Sequence, residues 1–185
     1  GVIHNQDQPT DRFPLGELDG SLSPRLQALS QSLEAASIRA PVTSDIRTEK
    51  WLKVWGNLAL NPIGALCHAP LGDIHAFEPT RAVAMKMMAE AQAVANKLGI
   101  TFQISLEKRL ARAAELGAIR TSTQQDVEAG RALEVDALIG AVLEMAALVD
   151  VPAPYMDSLY ACTRLLDRII TRDKLRFAPQ AVDPD

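Results

Sequence analysis

The sequence predicts a mainly α-helical protein, in which a helical bundle follows a small β-β-α-β segment. From Ser44 onward, apolar residues recur with the period of an α-helix almost to the end of the chain. Before Ser44, short β-like pieces alternate with turn residues and flank one helix. The 185-residue chain is 48% hydrophobic and 23% charged, which is typical of a globular protein with a buried core.

The first segment, residues 1–44, is too small to form a domain and could complete a sheet that begins upstream. Its predicted strands are residues 1–4, 12–17 and 38–42. The helix between the last two has Ser23 as its predicted N-cap and Pro24 at its first position. The chain opens at Gly1 without an initiator Met, in what resembles the middle of a strand, so we expect it to be a fragment of a longer protein.

The second segment, residues 45–175, predicts a series of helices bounded by capping residues, glycine or proline. The first starts from a cap at Ser44 or Asp45 and runs towards Pro62, which we expect to kink or end it. Further helices are predicted at about 80–98, 106–117, 123–149 with an interruption at Gly130, and 156–170. A loop is expected around residues 70–79, and residues 176–185 predict a loose tail.

Composition excludes several classes of function. The net charge is −4 and the basic residues are scattered, which argues against nucleic acid as a partner. The longest nearly apolar stretch, Ala137 to Val149, is interrupted by Glu144 and is too short to span a membrane. Two cysteines, Cys67 and Cys162, form no disulfide framework and fit a reducing cytoplasmic setting.

Known cofactor motifs are absent from the sequence. His4, His68 and His75 do not have a recognised metal-ligand spacing, so we predict no metal site. The Gly-rich dinucleotide loop, the P-loop and the Gly-x-Ser-x-Gly nucleophile motif are all missing.

One polar row stands out in the first predicted helix of the bundle. Lys53, Asn57 and Asn61 are spaced four residues apart and so share one helix face, roughly opposite Trp51 and Trp55. The row could be a solvated face. However, Asn is a poor helix former, and on so apolar a helix we expect these three side chains to be buried and to need partners. A solvated face and a functional site both stay open at this point.

A second polar group follows later in the chain. It consists of Ser122, Thr123 and Asp126, with Glu134 eight residues further on. Taken alone, these residues favour a structural interpretation, in which Ser122 or Thr123 caps a helix and an exposed Glu134 pairs with Arg131.

Taken in order, four motifs resemble the ketopantoate reductase (2-dehydropantoate 2-reductase) family over nearly the whole chain. They are Gly16-Glu17-x-Asp19-Gly20 with Ser23-x-Arg25, Trp51-x-Lys53-x-x-x-Asn57-x-x-x-Asn61-Pro62, Ser122-x-x-Gln125-Asp126 with Gly130-Arg131-x-x-Glu134-x-Asp136, and Val151-Pro152-x-Pro154. The row of Lys53, Asn57 and Asn61, followed by the block from Ser122 to Glu134, is the most specific part of the resemblance.

The resemblance implies a two-domain oxidoreductase that reduces ketopantoate to pantoate, on the route to pantothenate and coenzyme A. Residues 1–44 would then be the C-terminal remnant of a Rossmann domain that binds NADPH. Residues 45–175 would be the substrate-binding and catalytic domain, a helical bundle like the C-terminal domain of 6-phosphogluconate dehydrogenase. Because the phosphate-binding loop is missing, we expect the chain alone to be inactive.

The resemblance also implies residue roles. Lys53 corresponds to the catalytic lysine, Asn57, Asn61 and Ser122 to substrate-binding groups, and Glu134 to an acid beside the nicotinamide ribose of the cofactor.

Two positions depart from the family pattern, because Leu71 stands where some members have Asn and Thr123 where Met is common. These departures leave a second interpretation open, in which the same architecture reduces another 2-keto acid. A third interpretation is a non-catalytic helical interaction module. A homodimer is compatible with all three.

Overall fold

The computed structural model describes residues 12–177 and residue 179, and it confirms a mainly helical chain. The helices are α1 (Pro24–Ala35), α2 (Ile46–Cys67), α3 (Leu71–Ala76), α4 (Glu78–Lys97), α5 (Leu106–Glu115), α6 (Ser122–Ala129), a π-helical turn (Asp136–Gly140), α7 (Ala141–Leu148) and α8 (Pro154–Asp173). The chain divides into two compact units, one up to Trp51 and one from Leu52 onward. The predicted strand at residues 1–4 and most of the predicted tail lie outside the described residues.

In the first unit, the segments predicted as strands are extended and pair in parallel at a single bridge, Leu15 with Val42. Neither segment forms a regular strand. The N–H groups of Phe13 and Leu15 donate to the carbonyls of Arg39 and Pro41, at 2.8 and 2.9 Å, so the nitrogen of Pro14 faces away from the pairing. Pro41 is in register to donate back to the first segment but, as a proline, has no N–H. The predicted β-β-α-β pattern is therefore present, in the part that the structure describes, as one short bridge beside a helix.

The turn before α1 is held by a small polar cluster around Glu17. Ser23 Oγ accepts a hydrogen bond from the Leu26 N–H at 3.2 Å, as predicted for an N-cap, and donates to Glu17 Oε1 at 2.5 Å. Arg25 donates to both carboxylate oxygens of Glu17, at 2.8 and 2.6 Å. The hydrogen bonds from Arg25 and then Ser23 lower the pKa of Glu17 to about 2. This motif therefore serves to fix the chain where α1 begins.

The second unit is built around the long helix α2. Its buried residues include Leu58, Ile63 and Ala65. The helix continues through Pro62 to Cys67, so of the two predicted alternatives the end of the helix does not occur, and the kink stays a prediction. Proline removes one N–H donor and its hydrogen bond from the helix. The packing of the buried residues on either side, Asn61 and Ile63, offsets this loss.

The predicted loop at residues 70–79 contains the short helix α3. Leu71 and Ile74 are buried, and the N–H groups of Leu71 and Gly72 donate to the carbonyls of Ile119 and Gly117, at 3.0 and 2.8 Å. These bonds dock the start of α3 against the segment that joins α5 to α6. A six-residue helix held by tertiary hydrogen bonds has too weak a local signal to be predicted from sequence.

The remaining helices agree with the sequence periodicity. The stretches predicted at 80–98, 106–117 and 156–170 are α4, α5 and α8, and α4 ends just before Gly99, whose φ is +81°. Gly130 ends α6 with φ +69°, which is the predicted interruption. The following stretch resumes as the π-helical turn and α7. None of the helices within residues 12–177 combines the length and hydropathy needed to cross a bilayer.

The N-terminus of α8 is capped by a carboxylate of the neighbouring helix α4. Ala153 at the N-cap provides no side-chain acceptor, and Glu90 of α4 instead accepts from the N–H groups of Tyr155 and Met156, at 2.9 and 2.8 Å. We expect Glu90→Ala to lower the free energy of unfolding by about 1–2 kcal/mol, because two helix N–H groups lose a charged acceptor.

Urea denaturation followed by circular dichroism measures this change. Glu144→Ala, which removes an exposed glutamate from α7, is the matched control and should shift the free energy of unfolding by no more than about 0.5 kcal/mol. Equal effects of the two substitutions would show that Glu90 does not act as the cap of α8.

Candidate functional site

The orientation of α2 is set by Trp55. Its side chain is fully buried, its ring stacks on Phe102 with centroids 4.2 Å apart, and its indole N–H donates to the carbonyl of Met88 at 2.7 Å. Trp55 was predicted to lie opposite the polar row of Lys53, Asn57 and Asn61. Because the indole packs on Phe102 and on the Met88 carbonyl of α4, the polar row lies on another side of α2, from which Asn61 reaches Thr123 of α6.

The three residues of that row differ in exposure. Asn61 is buried, with 6% of its surface exposed, Asn57 is half-buried, and Lys53 is exposed. The expectation that Lys53 is buried is therefore wrong for this chain. Along the row, exposure therefore falls with each helical turn, from Lys53 through Asn57 to Asn61.

A cavity of about 220 Å³ opens along this face of α2. It is bounded by α2, α3, α5 and the start of α6. Its wall is formed by Gly56, Asn57, Leu60, Asn61, Leu71, Arg109, Ala113, Leu116, Ile119, Arg120, Thr121 and Ser122. Polar groups and apolar side chains thus share one wall, which is typical of a site for a small polar molecule.

The structure brings three of the five predicted site residues together in this cavity: Asn57, Asn61 and Ser122. Lys53 is not on its wall, but it lies one helical turn before Asn57 on the same face, about 6 Å along the helix axis. Glu134 is also absent from the wall and is exposed in the segment between α6 and the π-helical turn.

Ser122 is available to a ligand because another hydroxyl caps α6. The N-cap is Thr121, whose Oγ1 accepts from the Gln124 N–H at 3.1 Å, so the interpretation of Ser122 or Thr123 as the cap is wrong. Thr123 Oγ1 accepts from Asn61 Nδ2 at 3.2 Å within the core. Three consecutive hydroxyl residues thus have three different positions, and Ser122 is the exposed one.

Glu134 is held in place by its neighbours along the chain. Leu133 and Val135 on either side are buried, and the Leu133 N–H donates to Asp167 Oδ1 at 2.8 Å. Arg131, expected to pair with Glu134, instead forms an ion pair with Asp126 at 2.6 Å. The carboxylate of Glu134 is therefore presented to solvent on an anchored backbone.

Two arginines of the cavity wall were not predicted as site residues. Arg120 pairs with Glu128 at 2.6 Å. Arg109 lies in phase with Ala113 and Leu116 on α5, and all three are on the wall. That spacing is visible in the sequence, but it identifies a face of α5 without showing that the face meets α2.

The candidate site contains no residues arranged for a metal ion. Across residues 12–177, no group of three or more His, Cys, Asp or Glu side chains is placed to hold one. The chemistry available in the cavity is hydrogen bonding by carboxamides and a hydroxyl, together with the positive charge of the arginines.

Comparison with known proteins assigns this geometry to a family. Residues 45–167, about two thirds of the chain, match the family described as "Ketopantoate reductase PanE/ApbA C terminal". The chain belongs to the ketopantoate reductase family. The matched range includes α2, α5 and α6, and so contains every residue of the cavity wall.

Individual relatives agree with the family assignment. The chain is similar to a 2-dehydropantoate 2-reductase of Mesorhizobium japonicum, with 46% identity over 155 residues, which is 84% of this chain and 48% of the relative. It also resembles the crystal structure of 2-dehydropantoate 2-reductase from Methylococcus capsulatus, with a TM-score of 0.79 and 28% identity, over 85% of this chain and 51% of that chain. The chain thus spans about half the length of these relatives.

A more distant structure shares the fold alone. D-mandelate dehydrogenase, in a ternary structure with NADH and anilino(oxo)acetate, matches with a TM-score of 0.77 at 17% identity, over 85% of this chain and 67% of that chain. The helical architecture around the cavity therefore occurs in proteins that differ widely in sequence.

Proposed function

We propose that this chain is the substrate-binding half of an NADPH-dependent reductase that converts 2-dehydropantoate to pantoate. The observation that carries the proposal is the convergence of Asn57, Asn61 and Ser122 on one cavity, in a chain of the ketopantoate reductase family. In this proposal residues 1–44 are the end of a nucleotide-binding Rossmann domain, and residues 45–175 are the catalytic domain.

Lys53 is the proposed general acid. When bound, the nicotinamide cofactor supplies the hydride that reduces the ketone carbon. Negative charge then develops on the former carbonyl oxygen, and an ammonium group nearby both stabilises that charge and supplies the proton. Lys53 lies on the cavity face of α2, one turn from Asn57, and its exposed side chain is free to reach a ligand at the cavity mouth.

The carboxamides and the hydroxyl are proposed to position the substrate. Asn57 and Asn61 donate hydrogen bonds without adding charge that would compete with Lys53. Asn61 is held in one orientation by its bond to Thr123, so the direction of its remaining hydrogen-bonding groups is set before a ligand arrives. Ser122, which also lines the cavity, adds a rotatable hydroxyl.

Glu134 is the proposed contact of this chain with the cofactor. A carboxylate accepts hydrogen bonds from ribose hydroxyls, and the carboxylate of Glu134 is exposed on an anchored backbone. This single acceptor therefore fits one contact to the nicotinamide ribose. The Rossmann domain is proposed to bind the phosphates of the cofactor. The preference for NADPH over NADH is therefore proposed to be set there as well.

A second candidate function is reduction of another 2-keto acid on the same architecture. Leu71 favours it, because this buried side chain of α3 forms part of the cavity wall and offers no hydrogen bond where a polar residue would. Ketopantoate carries a hydroxymethyl group and two methyl groups on the carbon next to its ketone, so 2-oxoisovalerate, which lacks the hydroxymethyl group, is the discriminating substrate. The two candidates differ in the ratio of kcat/KM for these compounds.

A substrate panel in a full-length protein that contains this chain tests the proposal. We expect ketopantoate to have the highest kcat/KM when the loss of NADPH absorbance is followed, and Asn57→Ala to lower that value about 10- to 100-fold by removing a donor to the substrate. Asn96→Ala, at an exposed asparagine near the end of α4, is the matched control.

The alternatives predict different results in the same assay. A higher kcat/KM for 2-oxoisovalerate would favour the second candidate. No reduction of any keto acid, in a folded protein that binds NADPH, would contradict a reductase and favour a helical interaction module.

A further inference from the structure

Arg109 has an unusual position on the cavity wall. It extends from α5 to α2, where its guanidinium lies against the backbone of Gly56. A Cβ at residue 56 would overlap the guanidinium, lying 2.8 Å from its Cζ atom. Glycine at this position thus provides the space in which the guanidinium lies, directly beside Asn57.

The charge of Arg109 is not compensated by the protein. Within residues 12–177, no carboxylate forms an ion pair with its side chain, and no hydrogen bond of its guanidinium to another side chain is formed. Burial, and then repulsion by Arg112, lowers its pKa from the usual value for arginine. Arg120, the other arginine of the wall, is neutralised by Glu128. A half-buried guanidinium without an anion is costly, and a bound anion would relieve that cost.

The rest of the wall limits what this anion can be. Neutral donors, Asn57, Asn61 and Ser122, lie on the same wall as Arg109. The remainder is largely aliphatic: Leu60, Leu71, Ala113, Leu116 and Ile119. Such a cavity suits a small molecule with one planar, singly charged end and a branched apolar body. A multiply charged phosphate would need more than one free cation.

We infer that Arg109 binds the carboxylate of the 2-keto acid substrate through its guanidinium. The inference rests on the proposed function and adds a specificity-determining residue to it. Arginine presents two parallel N–H donors that match the two oxygens of a carboxylate. Gly56, against which the guanidinium lies, is three residues after Lys53 and one before Asn57. A carboxylate bound there would lie within one helical turn of Lys53. In this inference Arg109 binds the carboxylate and Lys53 protonates the keto oxygen.

The test uses kinetics of the full-length protein with ketopantoate. We expect Arg109→Ala to raise KM about 10- to 100-fold while kcat changes less than about 3-fold, because a charge-assisted contact to the unreacting end is lost in ground and transition states alike. Arg109→Lys should recover only part of the loss, since lysine lacks the planar fork. Lys108→Ala, at the exposed neighbouring cation of α5, is the matched control.

Gly56→Ala provides an independent variant that keeps Arg109. The added methyl group displaces the guanidinium but suits a helix, so KM should rise while the melting temperature does not fall. Ketopantolactone, the neutral lactone of the substrate, is the control compound because it has no free carboxylate. Its KM should be the same in wild type and Arg109→Ala. An unchanged KM for ketopantoate in both variants would overturn the inference.

Failure of the inference can be distinguished from failure of the proposed function. If wild type reduces ketopantoate and Arg109→Ala has the same KM, the function stands and Arg109 is not the carboxylate contact. If wild type reduces no keto acid, the affinity for pantoate, measured by calorimetry in wild type and Arg109→Ala, decides whether Arg109 binds a carboxylate. Binding that is lost in Arg109→Ala would support the carboxylate site without the reaction, and binding of equal strength in both would overturn it.

Discussion

Replacing Lys53 by alanine in a full-length protein that contains this chain is expected to lower kcat by about 10²- to 10⁴-fold, the usual effect of losing a general acid. The alkoxide that forms on hydride addition would then lack both a proton donor and a nearby positive charge. Because Lys53 is exposed, its removal should change the free energy of unfolding by no more than about 0.5 kcal/mol. The loss would therefore be one of chemistry and not of folding.

Two further variants separate the charge of Lys53 from its proton. Lys53→Arg keeps a cation but does not give up a proton readily, so its kcat should remain low while KM stays near that of wild type. Lys97→Ala removes an exposed lysine at the end of α4 and should retain normal turnover. Steady-state kinetics with NADPH and ketopantoate measure all three. Near-normal turnover by Lys53→Ala would exclude this lysine as the acid.

The elements that the sequence predicts well are those whose signals are local. Ser23 caps α1 as expected, and the periodicity of α4, α5 and α8 matches the helices. Predictions fail where contacts with distant parts of the chain decide whether a helix continues or forms. α2 passes through Pro62 because both sides of it are buried, and α3 forms where a loop was expected because its N–H groups meet the α5–α6 connection.

The site shows the same division between local and tertiary information. The spacing of Asn57 and Asn61 puts them on one face, and this face does line the cavity. No spacing predicts that α5 brings Arg109 onto Gly56, since that contact joins residues 53 positions apart in the chain. The exposure of Lys53 is likewise a tertiary property, which the apolar composition of α2 did not indicate.

The largest expected effect on stability comes from Trp55, on which the orientation of the site depends. Trp55→Ala should lower the free energy of unfolding by about 3–5 kcal/mol, because a fully buried indole is replaced by a cavity. The variant loses the stack on Phe102 and the hydrogen bond to the Met88 carbonyl at 2.7 Å. Trp55→Phe keeps an aromatic ring against Phe102 and loses the N–H donor, so its cost should be smaller.

Urea denaturation followed by far-ultraviolet circular dichroism, which reports the helices and does not need the Trp55 signal, ranks the free energies of unfolding of these variants. Leu148→Ala is the matched control, because this leucine is 84% exposed and its loss should cost no more than about 0.5 kcal/mol. The order Trp55→Ala, Trp55→Phe, Leu148→Ala is expected, since packing contributes more than the single hydrogen bond at this position. If Trp55→Ala costs no more than Leu148→Ala, the indole does not anchor α2, and the inward direction of Asn57 and Asn61 must come from other contacts of that helix.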